Sequence, residues 1–309
     1  MLKIKNVTKK YGNFLAVDEL NLEIKKGDIF GFVGPNGAGK TTTMKMISTL
    51  LRPTSGDILV NGTSIYKDIA KVRSQIGYMP DFFGVYNDLK VIEYMTFYGD
   101  LNKVSSKTLL KTIDQLLELV GLTEKKYAYV DSLSRGMKQR LCLARCLIHS
   151  PELLILDEPA SGMDPRARVH MKNILKELKS MGKTIIISSH ILPEIAEICT
   201  SIGIIEKGKI ITVDSVDSIV KNNGNSNIIK IKTLDNIEKL ENKLKENPYI
   251  TEVQSRDNEF AVEFNGSEDK KATLLQELIE NNISIVHFGT TDQNLEDIFM
   301  KITKGDEYD

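Results

Sequence analysis

The chain has 309 residues, a formal net charge of −1 and 41% hydrophobic residues, enough apolar content for a sizeable buried core. The near-neutral balance leaves no electrostatic footprint for nucleic acid or an anionic membrane surface. No apolar run approaches the ~20 residues that span a bilayer, and the N-terminal MLKIKNVTKKYG lacks a signal-peptide apolar segment, so a cytoplasmic location is expected.

Leu2, Ile4 and Val7, then Leu20, Leu22 and Ile24, alternate with polar residues and predict two half-exposed strands. Lys26-Gly27-Asp28 is a turn. Ile29–Val33 is a continuous apolar strand that runs into the glycine-rich stretch Gly34–Gly39. A helix is expected from about Lys40 to Leu51, stopped by Pro53 and Gly56. Residues from about 82 to 150 lose strand periodicity and take helical spacing, with Leu109, Ile113, Leu116, Leu117 and Val120 on one stripe. Buried strands resume at Leu153–Asp157 and Thr184–Ser188, with a helix from about Arg166 to Met181 between them. That order predicts a parallel sheet covered on both faces. Ile202–Ile205 and Ile210–Val213 read as a closing hairpin around Lys207-Gly208.

The three cysteines, Cys142, Cys146 and Cys199, are an odd count that reads as reduced thiols. Cys142 and Cys146 lie four apart on a predicted helix. No His or second pair joins them, so they read as buried small hydrophobes.

The polar run Asn222–Asn227 marks a boundary between residues 1–221 and a second module at 222–309. In that module Ile228–Ile231 is a strand, and Asp235 with Glu238 predicts the cap of a helix reaching Lys245. Ile250–Val253 and Phe260–Phe264 are strands, Glu268–Glu280 a helix and Ile283–Phe288 a strand. The order βαββαβ suggests a ferredoxin-like α+β module. A last short helix is expected around Leu295, Ile298 and Phe299.

The stretch Gly34-Pro35-Asn36-Gly37-Ala38-Gly39-Lys40-Thr41 satisfies G-x-x-x-x-G-K-[ST] between a strand and a helix, the context that a phosphate-binding loop needs. Its glycines let backbone N–H groups converge on phosphate oxygens, and the next helix points its positive end at them. Lys40 is expected to reach the β- and γ-phosphates, the Thr41 hydroxyl to ligate Mg²⁺, and Thr42 to join the nucleotide contacts. Leu153–Leu156 followed by Asp157-Glu158 places two carboxylates where open α/β sheets bind ligands. Asp157 suits Mg²⁺ binding, and Glu158 suits orienting and polarising an attacking water. Together these motifs predict an NTPase of the P-loop class.

Leu133-Ser134-Arg135-Gly136-Met137-Lys138-Gln139-Arg140, just before an apolar helix, resembles the LSGGQ signature of the ABC ATPase family. The resemblance covers about the first 215 residues in family order. It implies a mixed central sheet, an antiparallel β subdomain and a helical subdomain at about 82–150, beside the small C-terminal module. It implies that Tyr11 stacks on adenine and that His190, in Ile187-Ser-Ser-His190, contacts the γ-phosphate. Ser161-Gly162-Met163-Asp164 matches the family loop that crosses the dimer interface. It further implies ATP and Mg²⁺ as ligands, and a homodimer or heterodimer of cassettes in which Ser134, Arg135 and Gly136 close on a nucleotide held by the partner copy. A separate membrane-spanning permease follows, so the chain is expected at the inner face of the cell membrane and in export.

Three positions depart from the family pattern. Asp81, after Ile76-Gly-Tyr-Met-Pro80, stands where the family has a Gln that touches Mg²⁺. Arg135 replaces a signature glycine, leaving open a cation near the partner's phosphate or a side chain turned outward. Met137 replaces a Gln. The Pro80–Gly84 segment and the C-terminal module are similar to a branch of bacterial exporter cassettes.

Two other readings compete with a transporter ATPase. A nucleic-acid or ribosome-associated ABC ATPase usually has paired cassettes or a long coiled-coil insertion, and this chain has neither. A regulatory ATP-binding module with weak turnover is opposed by Glu158 and His190 and left open by Asp81 and Arg135. Thr303-Lys-Gly-Asp306 fits a guanine-reading pattern, but it does not follow a core strand and is set aside.

Overall fold

The computed structural model describes residues 1–82, 84, 86, 88–191, 195–216, 218 and 228–290. The expected linker at 222–227, the helix around Leu295 and the Thr303–Asp306 pattern lie outside these residues. The chain divides into two compact units, Met1–Val216 and Asp217–Asp309.

In the first unit, β1 (Leu2–Tyr11) and β2 (Phe14–Ile24) pair antiparallel. The two predicted apolar rows face each other across the ladder, as Leu2 opposite Ile24, Ile4 opposite Leu22 and Val7 opposite Leu20. One face is thereby buried and the other left to solvent, which is what period-two alternation specifies. A six-stranded sheet lies beside it, with order β10-β9-β3-β8-β7-β6. Its members are β3 (Ile29–Val33), β6 (Ile76–Met79), β7 (Leu153–Asp157), β8 (Thr184–Ser189), β9 (Ser201–Glu206) and β10 (Lys209–Ser215). Neighbours are parallel except for the β9–β10 hairpin. Every residue of β3 and β7 is buried, so continuous apolar runs are the pattern such strands need. In register, Val33 lies beside Ser189 and Asp157 beside Ser188. The segments leaving β3, β7 and β8 therefore emerge along one edge, where open α/β sheets hold ligands.

Short elements escape the periodicity reading. β4 (Ser55–Val60) pairs with the free edge of β1, and β5 (Thr63–Ser64) completes the order β2-β1-β4-β5. Helix α2 spans Ile69–Ser74, and β6 has only four residues. Helix α1 spans Lys40–Ile47 and stops short of the expected Leu51. Thr49 adopts a left-handed φ of 61° and the Leu50 N–H reaches back to the Lys45 carbonyl at 2.9 Å, a closure that uses up the last helical acceptors.

The helical region contains α3 (Val91–Leu101), α4 (Ser106–Leu119) and α5 (Arg135–Leu147). Leu109, Ile113 and Leu117 form the buried stripe of α4. Cys142 and Cys146 are buried free thiols on α5. Helix α6 (Pro165–Ser180) opens with Asp164 accepting the Ala167 N–H at 2.9 Å and Pro165 in its first position.

In the second unit, β11 (Ile228–Thr233), α7 (Ile237–Glu246), β12 (Ile250–Arg256), β13 (Glu259–Phe264), α8 (Glu268–Glu280) and β14 (Ile285–Thr290) follow in chain order. The sheet order is β12-β13-β11-β14, all antiparallel. Ile229, Ile231, Phe260, Val262 and Phe264 pack with Leu240, Leu244, Leu274 and Leu278 of the helices. The expected cap of α7 is corrected here. Asn236, with φ 54°, precedes the helix without a side-chain cap bond. The Asp235 carboxylate instead accepts the Ser284 N–H at 3.1 Å and the Ser284 hydroxyl at 2.9 Å, because a tertiary partner with two donors outcompetes the local helix end.

Candidate functional site

The glycine-rich loop links β3 to α1, leaving Pro35, Asn36 and Gly37 exposed and Gly34, Ala38, Gly39 and Lys40 buried. Gly34 is required by space: a Cβ there would lie 2.2 Å from the Ile205 carbonyl oxygen. The Gly208 N–H holds the loop by donating to the Ala38 carbonyl at 3.0 Å. Lys40 is 6% exposed, and its Nζ donates to the Gly34 carbonyl at 2.6 Å and the Pro35 carbonyl at 3.1 Å. Burial holds the ammonium below its usual pKa, against the pull of Glu158 and Asp157. The ammonium thus sits under the loop with only weak neutral acceptors.

Asp157 ends β7 and is fully buried. The Ser188 hydroxyl donates to its Oδ1 at 2.5 Å and accepts the Glu158 N–H at 2.9 Å. The other oxygen, Oδ2, is buried without a hydrogen-bond partner among the described residues. Glu158 follows with φ 49°, a left-handed conformation unusual outside glycine. That turn aims its carboxylate at His190, whose Nδ1 lies 3.1 Å from each oxygen. Burial raises the Glu158 pKa, with His190 and Lys40 opposing.

The raised value has a checkable consequence for the fold. Between the ordinary carboxylate pKa and the raised one, the folded chain binds more protons than the unfolded chain. Stability therefore falls as pH rises through that window and stays reduced above it. Glu158→Gln is expected to raise the melting temperature at pH 7, with the gain vanishing below the ordinary carboxylate range. Melting curves across pH check this; a gain that persists in acid removes burial of the charge as its cause.

The predicted residues fall into groups. Thr41, Asp81 and Asp157 line one cavity of about 690 Å³, together with Tyr78, whose buried hydroxyl has no hydrogen-bond partner among the described residues. Lys40, Glu158 and His190 form a second group. Ser134 caps α5, its hydroxyl accepting the Met137 N–H at 3.3 Å, and is exposed. Arg135 packs against Gly162, and Gly136 approaches Ala167 and Met163, so this segment sits with the Ser161–Asp164 turn rather than with the glycine-rich loop. Tyr11 stands half exposed at the end of β1, with the Lys9 ammonium 5.1 Å from its ring centre.

Two residues carry parts that the motif reading did not assign. Ser188 joins the two carboxylate residues, and the sign available was a polar residue ending an apolar strand. Gln139, 3% exposed, donates from Nε2 to the Ser161 carbonyl at 2.8 Å. Its sign was one amide among the apolar residues of α5.

The donor set fits Mg²⁺. The ion prefers oxygen ligands, keeps several waters and takes the rest from substrate phosphates. Asp157 Oδ2, without a hydrogen-bond partner among the described residues, and Thr41, which lines the same cavity, match that partial shell. Among the described residues no group of three or more His, Cys, Asp or Glu could hold a metal alone. No described helix is long and apolar enough to cross a membrane.

Comparison with known proteins gives a uniform result. Residues 17–161 match the family model described as ABC transporter, and residues 215–303 match the ATP-binding protein DrrA1-3-like C-terminal domain. The linearmycin resistance ATP-binding protein LnrL of Bacillus subtilis (strain 168) is 33% identical over 98% of this chain and 98% of its own length. The bacitracin transport ATP-binding protein BcrA of Bacillus licheniformis is 35% identical over 99% of this chain and 98% of its own. Among solved structures, the dimeric post-hydrolysis state of the ATP-binding cassette MJ0796 bound to ADP and Pi aligns with a TM-score of 0.64 at 25% identity, covering 70% of this chain and 99% of that one.

Proposed function

The chain belongs to the ATP-binding proteins of ABC transporters, and from that premise we propose that Gly34–Thr41 of one copy and Ser134 of a second close on one ATP. The fold is that of a P-loop ATPase cassette, and the activity is ATP hydrolysis in service of a transporter.

The observation that carries the mechanism is the Glu158 carboxylate, held 3.1 Å from His190 Nδ1 on the edge that also presents Lys40. With nucleotide in the loop, the backbone N–H groups of Gly34, Asn36, Gly37, Ala38 and Gly39 face phosphate oxygens, while Pro35, which has no N–H, shapes the turn. Lys40 exchanges its two carbonyl partners for the β- and γ-phosphates, where a charge-assisted bond is stronger. Thr41 and Asp157, with Asp81 replacing the family Gln, hold Mg²⁺, and Thr42 adds a phosphate contact. The ion, when bound, neutralises charge on the phosphate oxygens. Glu158 orients the attacking water and accepts its proton, a task that its raised proton affinity suits. His190 fixes that carboxylate through Nδ1 and leaves Nε2 for the γ-phosphate. Tyr11 supplies the ring for adenine.

Ser134 at the open N-terminus of α5 serves the partner's nucleotide, with Arg135 and Gly136 beside it. Binding thereby favours pairing and hydrolysis favours separation. Residues 1–221 form the motor and 222–309 the accessory module. A permease carried on another chain turns the motion into transport, and the cassette works at the inner face of the membrane. The resistance and transport roles printed for LnrL and BcrA support export.

The test uses Ser134→Ala. In a Glu158→Gln background it is expected to abolish ATP-driven pairing, read by size-exclusion chromatography, while each monomer still binds ATP. Loss of the cap alone costs about 1 kcal/mol of stability, a deficit that melting curves report separately. Undiminished pairing would remove Ser134 from the shared site.

A further inference from the structure

We propose that Arg135 is a positioning residue for Glu158 of its own chain, acting through the turn that follows Glu158; the inference rests on the paired-site reading above.

The guanidinium fills the side-chain space of Gly162. A Cβ on Gly162 would lie 2.3 Å from Arg135 Cζ, 2.4 Å from Nη1 and 2.5 Å from Nη2. Gly162 also has φ 66°, where an L side chain is strained. A side chain is thus excluded twice, by backbone conformation and by the arginine lying on the residue.

The turn beneath it is short and tied to the backbone of Glu158. The Ser161 N–H donates to the Glu158 carbonyl at 3.0 Å, and the Met163 N–H to the Ala160 carbonyl at 3.3 Å. Helix α5 grips this turn and the start of α6 at three places. Arg135 covers Gly162, Gln139 holds the Ser161 carbonyl at 2.8 Å, and Gly136 lets the helix start lie close, its notional Cβ 3.2 Å from Ala167 Cβ. Glu158 itself depends on this support, because its φ of 49° is held against the preference of an L residue. The first turn of α5 and Glu158 therefore move as one piece.

The consequence is a link between two sites. In the pair, Ser134 at the start of α5 meets the nucleotide of the other copy, while Glu158 serves the nucleotide of its own. Arg135 ties closure at one site to alignment of the carboxylate at the other. A planar, bidentate side chain suits a flat contact over a glycine better than a lysine does.

The test uses the full chain with ATP and Mg²⁺. Arg135→Ala is expected to lower kcat about tenfold, since small misplacements of a reacting group are costly. KM should stay within about twofold, and the Hill coefficient for ATP should fall toward unity. ATP-driven pairing in the Glu158→Gln background should persist. Gly162→Ala puts a methyl group where the guanidinium lies, so it should reproduce the kcat loss, and the double variant should be no worse than either single one. Arg135→Lys should behave as Arg135→Ala. Additive losses, rescue by lysine, or a defect in KM and pairing that places the guanidinium on a phosphate would each overturn the proposal. Should Gly162→Ala fail to fold, the kcat, KM and pairing pattern of Arg135→Ala decides alone. Normal turnover in Arg135→Ala beside a pairing defect in Ser134→Ala overturns this inference only; intact pairing in Ser134→Ala overturns the shared-site reading instead.

Discussion

Glu158→Gln is expected to cut ATP turnover by about 10²–10⁴-fold, the usual range for loss of a positioned general base, while ATP binding survives. Glutamine keeps the shape and can still accept a hydrogen bond from His190, which lies 3.1 Å from both carboxylate oxygens. It cannot take the proton of the attacking water. The Gly34–Thr41 loop is untouched, so the nucleotide still enters and the pair still closes. Closed pairs should then accumulate, because the step that opens them is blocked. Phosphate release with a parallel measurement of oligomeric state checks both halves. Turnover equal to that of the parent chain would exclude Glu158 as the base and return the site to simple nucleotide binding.

Lys40→Ala is the second large effect, and it acts on binding. Each charge-assisted hydrogen bond contributes about 1.5–3 kcal/mol, so two lost phosphate contacts weaken ATP affinity by roughly 10²–10⁴-fold. The fold should not suffer in proportion. Without nucleotide the buried ammonium has only the Gly34 and Pro35 carbonyls as partners, and burial already lowers its pKa. Removing a charge that the fold tolerates poorly is therefore expected to leave the melting temperature unchanged or higher. Titration with a fluorescent ATP analogue and melting curves separate the two effects. Near-normal affinity would show that the loop amides bind phosphate unaided.

The legible parts of this chain share a physical cause. Leu2, Ile4 and Val7, and Leu20, Leu22 and Ile24, were legible as two half-exposed strands because a half-buried strand writes its inner face as alternation; their register across the ladder came from the fold. Leu153–Asp157 was legible because a strand covered on both faces leaves a continuous apolar run. The glycine-rich loop was legible because the space there admits only glycine: a Cβ on Gly34 would lie 2.2 Å from the Ile205 carbonyl oxygen. Strands Thr63–Ser64 and Ile76–Met79 are too short to establish a period, and they exist because longer neighbours offer open edges. Helix α1 ended early because Thr49 turned left-handed. The pairing of Asp235 with Ser284, forty-nine residues away, defeated a locally reasonable cap.

The site divides in the same way. Residue types and spacing alone pointed to Gly34–Thr41 as a phosphate-binding loop and to Asp157 and Glu158 at the end of a buried strand, since backbone convergence and strand ends are local consequences of sequence. Only the tertiary structure decided how those groups are held. The Ser188 hydroxyl between two acidic residues, the aim of Glu158 at His190, and the Arg135 guanidinium over Gly162 join segments that sequence separation keeps apart. Such contacts depend on which strand ends and helix starts the folded sheet brings to one edge, and no periodicity encodes that.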